Sequence, residues 1–323
     1  MKDKKGRTID YLRISLTDRC NLRCIYCMPE GSVEHITQEE LLSYEEIERI
    51  AKATSVLGVK KIRLTGGEPL VRNNIESLIR SLKAIPGVEE VSITTNGVLL
   101  SKMIDGLVEA GLDRINLSID SLKDDKFKII TRGAQLADIF DGMHKALNHG
   151  LKVKINVVLI KGVNEDEALD FVELIKDHPV DVRFIELMPI GEGTRYVGIN
   201  NSELIDKIRT AGYPLQEIEY LLGSGPARYF ELNDAKGDLG FISPMSHQFC
   251  ETCNRVRLTP EGYLKLCLHS GHGVDLRAEL RKGASDESLT QIIEEAIVCK
   301  PSAHQFSEFS SEKDHRSMNQ IGG

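Results

Sequence analysis

From about residue 11 to residue 189 the chain alternates short apolar runs with longer amphipathic ones. The short runs are YLRISL (11–16), KIRLTG (61–66), VSITTN (91–96), RINLSI (114–119), VKINVVLI (153–160) and VRFIELM (182–188). They are rich in Ile, Val, Leu and Thr, and most are followed by Gly, Asn or Asp, as strands are. The intervening segments carry helical spacing. In SYEEIERIAKATSVLG (43–58), Ile47, Ile50, Ala51 and Leu57 share one face and Gly58 suits the C-terminal stop. Alternation at this period predicts an α/β fold with a parallel sheet, and about six units predict an incomplete TIM-type (βα) barrel over residues 1–190. Functional residues then belong at the C-terminal strand ends, in the polar stretches 18–27, 65–69, 94–97, 118–120 and 186–189. After about Gly191 the pattern gives way to Gly- and Pro-bearing segments such as LLGSGPARYF and ISPMSHQFC. These predict a C-terminal layer of short strands, 191–323, closing the barrel mouth. The polar end, through Gly322 and Gly323, is expected to be flexible unless something holds it.

Composition changes the picture in three ways. Hydrophobic residues at 41% and charged residues at 28% of 323 indicate a packed globular chain rather than a disordered or fibrous one. A net charge of −8 argues against nucleic acid bound through a broadly basic surface, while leaving room for a local basic pocket. No apolar run approaches the roughly 20 residues of a membrane helix, and MKDKKGRTID lacks a signal's apolar stretch, so the expected location is the cytoplasm and no membrane partner is expected.

Seven cysteines in such a chain suggest metal or cluster binding before disulfides. Six form two groups, Cys20/Cys24/Cys27 and Cys250/Cys253/Cys267, and Cys299 reads as a spare thiol. Three thiolates within eight residues can hold three irons of a cubane and leave the fourth open. Zinc with His35 as fourth ligand is the alternative at the first group, and zinc with His247, His269 or His272 at the second. Arg13, Arg63 and Arg183 sit inside otherwise apolar strands, where a charge needs a partner. Lys154 lies on a later strand, and alternation in Arg255-Val256-Arg257 puts two guanidinium groups on one face. Together they can receive a polyanion.

DRCNLRCIYC is similar to the C-x3-C-x2-C signature of the radical S-adenosylmethionine superfamily, with Tyr26 before the last cysteine. Gly66-Gly67-Glu68-Pro69 after the second strand supports the resemblance: glycines allow close backbone approach, and Glu68 or a neighbouring carbonyl can accept from the methionine ammonium. The resemblance implies a [4Fe–4S] cluster on Cys20, Cys24 and Cys27. Its open iron chelates adenosylmethionine, which yields a 5′-deoxyadenosyl radical for C–H abstraction. It assigns Tyr26, Gly67, Glu68, Ser118 and Met188 to adenosylmethionine. Turn, cap or core roles are the alternatives for Thr94, Asn96, Ser118 and Met188.

SPMSHQFCETCNRVRLTPEGYLKLCL resembles the GTP 3′,8-cyclase family of molybdenum cofactor biosynthesis, and the likeness runs along essentially the whole chain to the terminal Gly-Gly. It implies a second [4Fe–4S] cluster on Cys250, Cys253 and Cys267, open towards the guanine of GTP. It places Arg13, Arg63, Thr94, Lys154, Arg183, Arg255 and Arg257 on GTP, with catalytic parts for Arg255, Arg257, Gly322 and Gly323. It also implies an electron donor, a homodimer, and cyclic pyranopterin monophosphate synthase as the next pathway enzyme. The rival reading is another twin-cluster radical enzyme acting on a peptide; a zinc-binding interaction module is a reading of a different class. Asp18, Asp120 and Glu186 are candidates to organise the arginines or the sugar hydroxyls.

Overall fold

The computed structural model describes residues 1–31, 34–218, 225–304 and 316–322. Its strands are β1 (Tyr11–Ser15), β2 (Lys61–Thr65), β3 (Glu90–Thr95), β4 (Arg114–Ser118), β5 (Lys152–Val157), β6 (Val180–Ile185), β7 (Gln216–Glu217), β8 (Arg228–Glu231), β9 (Leu239–Ile242), β10 (Arg255–Leu258), β11 (Tyr263–Lys265) and β12 (Gly273–Asp275). The helices are α1 (Tyr44–Val56), α2 (Ile75–Lys83), α3 (Leu100–Glu109), α4 (Asp124–Thr131), α5 (Leu136–Asn148), α6 (Ala168–Asp177), α7 (Asn201–Thr210), α8 (Leu276–Arg281), α9 (Asp286–Val298) and α10 (Met318–Ile321). The six apolar runs read from the sequence are β1 to β6, paired in parallel and in sequential order.

The twelve strands of the described residues form one sheet, in the order β12-β11-β10-β1-β2-β3-β4-β5-β6-β9-β8-β7. The fold is an incomplete (βα) barrel whose end strands, β12 and β7, share no ladder among the described residues. The C-terminal segment is more than a separate layer. β10 runs parallel to β1 and β9 parallel to β6, so it extends both flanks of the sheet. Aromatic contacts fix the second flank: Phe184 stacks on Phe241 at 5.7 Å, and Phe230 meets Phe241 edge-on at 5.4 Å.

Period-two alternation divides each strand between two environments. Leu12, Ile14, Ile62, Leu64, Ile93, Ile115, Ile155 and Phe184 are fully buried in the core shared with the helices. In α1 the buried face is Ile47, Ile50, Ala51, Ala53 and Thr54, while Leu57, expected on that face, is the half-buried C-cap. Ser43 and Glu46 close a capping box at its start. Gly142 lets α5 lie against α3, since a β-carbon there would stand 3.0 Å from Leu100 and Ser101.

Candidate active site

The opposite strand faces carry the polar residues. Strand register puts Arg13 beside Arg257 of β10 on one side and beside Arg63 of β2 on the other. Three guanidinium-bearing positions therefore lie in a row across adjacent strands. Lys154 and Arg183 continue the basic lining from β5 and β6, and all five border a cavity of about 310 Å³. Arg63, Arg183, Lys154 and Arg257 are each buried. Lys154 pairs with Asp181 at 2.8 Å, and the Arg183 Nη2 donates to Asn116 Oδ1 at 2.6 Å. No carboxylate among the described residues pairs with Arg13, Arg63 or Arg257, and Nε of Arg13 and of Arg183 are buried without a hydrogen-bond partner. Burial first, then neighbouring guanidinium groups, pull Arg13 down to about 9 and Arg63 to about 10, and drive Arg257 well below the usual arginine range. Two unit charges held at the strand spacing of about 4.8 Å repel by about 3 kcal/mol at an effective dielectric of about 20. Such a row is stabilised by an anion.

The two cysteine groups border the same cavity, and all six thiols are free and half-buried. The first group sits in the loop after β1. Cys27 N–H donates to the Cys24 carbonyl at 2.9 Å, and the loop is pinned from outside by the end of α4. There Arg132 donates to the carbonyls of Arg23 at 3.0 Å and Met28 at 2.9 Å. Burial pushes Cys20 up to about 11 and Cys27 to about 12, with the other thiols and nearby Glu68 or Asp120 adding to it. The second group differs. Burial raises Cys253 too, but Arg255 and Lys300 outweigh it and bring the thiol to about 7. Among the described residues no three His, Cys, Asp or Glu converge where one metal ion would sit. His35 is engaged with Asp18 at 3.1 Å, and of His247, His269 and His272 only His269 borders the cavity.

Gly66 and Gly67 press the β2 turn against the cysteine loop. Gly67 N–H donates to Thr17 O at 2.6 Å and Glu68 N–H to Arg19 O at 2.8 Å, and a β-carbon on Gly67 would stand 2.4 Å from Arg19 O. Both Glu68 oxygens are engaged within the chain, by Leu70 N–H at 3.0 Å, Thr95 hydroxyl at 2.7 Å and Asn96 N–H at 2.8 Å. The carboxylate thus fixes the turn. Asn96 also reaches Cys20 Sγ at 3.7 Å. Tyr26 donates to Asp120 at 2.6 Å, and Thr94, Ser118 and Met188 border the cavity.

The three acidic candidates do not pair with the arginines. Asp18 Oδ2 accepts from His35 and the Ile36 N–H, and Asp120 accepts from Tyr26 and the Val158 N–H. Glu186 accepts from the N–H groups of Asn201, Met245 and Ser246, holding the approach to Cys250. Nor is the chain end loose as far as Gly322. Arg257 Nη1 donates to the Gly322 carbonyl, and a β-carbon there would stand 2.8 Å from Thr65 and 2.9 Å from Ser15. Gly323 lies outside the described residues. Tyr11, Arg114, Asn156, Tyr229, Phe249 and Lys300 border the cavity without having been singled out in the sequence. The signal for some was present, because R-I-N-L-S alternates and puts Arg114, Asn116 and Ser118 on one face.

A sheet of parallel (βα) units with a three-cysteine loop after its first strand is the architecture of the radical S-adenosylmethionine enzymes, and the family model "Radical SAM superfamily" matches residues 14–175. Residues 180–306 match "Molybdenum Cofactor Synthesis C". GTP 3′,8-cyclase of Clostridium perfringens (strain 13 / Type A) is 48% identical over the full length of both chains, and that of Pelotomaculum thermopropionicum 47%. The chain belongs to the GTP 3′,8-cyclase family. Among solved structures, Streptococcus suis SuiB bound to precursor peptide SuiA aligns with a TM-score of 0.62, covering 92% of this chain and 66% of that one. At 16% identity that likeness is one of fold alone. No helix among the described residues is long and apolar enough to cross a membrane.

The donor sets fit the groups that the family implies. Three thiolates at each end of one cavity suit two cubanes with an open iron apiece, and orphaned guanidinium donors between them suit an anionic substrate.

Proposed function

We propose that the chain is a lyase, a radical GTP 3′,8-cyclase that converts GTP to (8S)-3′,8-cyclo-7,8-dihydroguanosine 5′-triphosphate, the first step of molybdenum cofactor biosynthesis. The observation that carries this reading is the row Arg257–Arg13–Arg63, without carboxylate partners among the described residues, in a cavity that both cysteine groups border, a local positive surface in a chain of net charge −8. Cys20, Cys24 and Cys27 would hold the cluster that binds S-adenosylmethionine, and Cys250, Cys253 and Cys267 the second. The first cluster with adenosylmethionine would supply the radical for hydrogen abstraction at ribose C3′, and closure of C3′ onto guanine C8 would be completed by one electron and one proton from the electron donor and solvent.

The protein's own part is aim, charge and exclusion of water. Arg13, Arg63, Lys154 and Arg183 bind the triphosphate, with Thr94 beside them. Arg255, stacked over Phe249 at 5.2 Å, and Arg257 face the base and the developing charge at C8–N7. Gly67 allows close approach at the turn, where Glu68 or a neighbouring carbonyl accepts from the methionine ammonium, while Tyr26, Ser118 and Met188 border the nucleoside end of adenosylmethionine. Gly322, whose carbonyl accepts from Arg257, and Gly323 after it share the catalytic part. Residues 1–190 and 191–323 serve as the radical unit and the substrate-closing unit. The reading further includes a cytoplasmic location, an electron donor, transfer of product to cyclic pyranopterin monophosphate synthase, and a homodimer.

Anaerobic incubation of the iron-loaded protein with GTP, adenosylmethionine and dithionite as electron donor tests this. Mass analysis should find an isomer of GTP formed with stoichiometric 5′-deoxyadenosine. Deoxyadenosine with GTP untouched would overturn the substrate and favour the peptide-acting rival.

A further inference from the structure

Lys300, just beyond α9, is 6% exposed, and its ammonium donates to two backbone carbonyls, that of Arg255 at 2.8 Å and that of Leu266. Arg255 lies two residues after Cys253, and Leu266 directly precedes Cys267. One side chain therefore ties together the two segments that carry these cysteines. A second buried cation completes the frame. Arg7 donates to the Lys300 carbonyl at 3.2 Å, to the Pro301 carbonyl at 2.7 Å and to the Cys250 carbonyl at 2.9 Å. Asp3 holds Arg7 at 2.6 Å.

A buried ammonium ordinarily carries a carboxylate partner. Lys300 has none among the described residues. The groups that favour its charge are the thiols of Cys253 and Cys267. Around the first cysteine group the carboxyls of Glu68 and Asp120 act on the thiols, with Arg23 the cation beside Cys20.

We propose that Lys300 is a positioning residue for the second cluster, clamping the Cys253 and Cys267 segments in ligand geometry and raising that cluster's reduction potential by its charge. The inference rests on the two-cluster reading above. Reduction adds a negative charge to a group already held by three thiolates, and a desolvated cation beside it stabilises the reduced form. The second cluster then sits at a higher potential than the first.

The test is an EPR-monitored potentiometric titration of the full-length, iron-loaded protein, with the first cluster's signal recognised by its change on adding adenosylmethionine. In Lys300→Met the second cluster's reduction equilibrium should fall at least tenfold, which is 59 mV for a one-electron couple, or its iron alone should be lost. The first cluster should stay put, and Lys300→Arg should restore the second. Full iron with an unmoved potential in Lys300→Met overturns the inference. Should that variant lose both clusters, Lys300→Gln decides: a tenfold fall supports the charge, and an unmoved potential sinks it. Wild-type protein binding only about four irons, one cluster's worth, would instead overturn the two-cluster reading itself.

Discussion

A β-carbon at Gly67 has nowhere to go, because the Arg19 carbonyl is 2.4 Å away and backbone cannot swing aside as a side chain can. Gly67→Ala should part the β2 turn from the cysteine loop, costing about 2 kcal/mol or more of stability and lowering iron at the first group before the second. Iron analysis of the variant with each cysteine group disabled in turn checks this. Glu68 makes a pH prediction for the cluster-free protein. Burial raises its carboxyl from 4.5 to about 7, against hydrogen bonds from Asn96, Thr95 and Leu70 that lower it. Between those values the folded chain keeps a proton that the unfolded chain releases, so stability falls as pH rises across the window, by ~3 kcal/mol in all. Denaturation midpoints should decline from pH 4.5 to 7, and Glu68→Gln should flatten the decline. The motif residues were legible because their chemistry is concentrated in a few adjacent positions. Lys300 was not, because its partners are backbone carbonyls brought near from 45 and 34 residues away, and carbonyls leave no mark in a sequence.

At the level of elements, β1 to β6 could be read because each is a compact run rich in Ile, Val, Leu or Thr set between longer helical segments, and most of its positions are buried. β7 to β12 run only two to four residues, too short for a period to register, and they owe their form to the ladders they join. Gly240 illustrates this. It pairs with Arg183, and a β-carbon on it would stand 2.9 Å from Arg183 and 3.0 Å from Tyr229, so the bare position lets a basic side chain reach the cavity. Gly240→Ala should displace Arg183 and weaken GTP binding about tenfold, measured by calorimetry, while adenosylmethionine binding holds. At α1, Ser43→Ala removes a capping box at an exposed helix end and should cost about 1 kcal/mol in chemical denaturation, with cluster content unchanged.

Across the whole molecule an acidic exterior surrounds a basic interior, and net charge alone conceals the pocket. Arg63→Gln should raise the Kd for GTP tenfold or more yet barely change that for guanosine, which lacks the phosphates; equal losses for both would remove Arg63 from the triphosphate site. The sheet order has a consequence for biosynthesis. β1 and β6 are interior strands only because β10 and β9, made last, come to lie beside them. While the ribosome is still translating the second half, the nascent first half presents two bare parallel edges, each a template for another chain. Yield in the cell should therefore respond to chaperone supply and slow synthesis more than the finished protein's melting temperature would suggest.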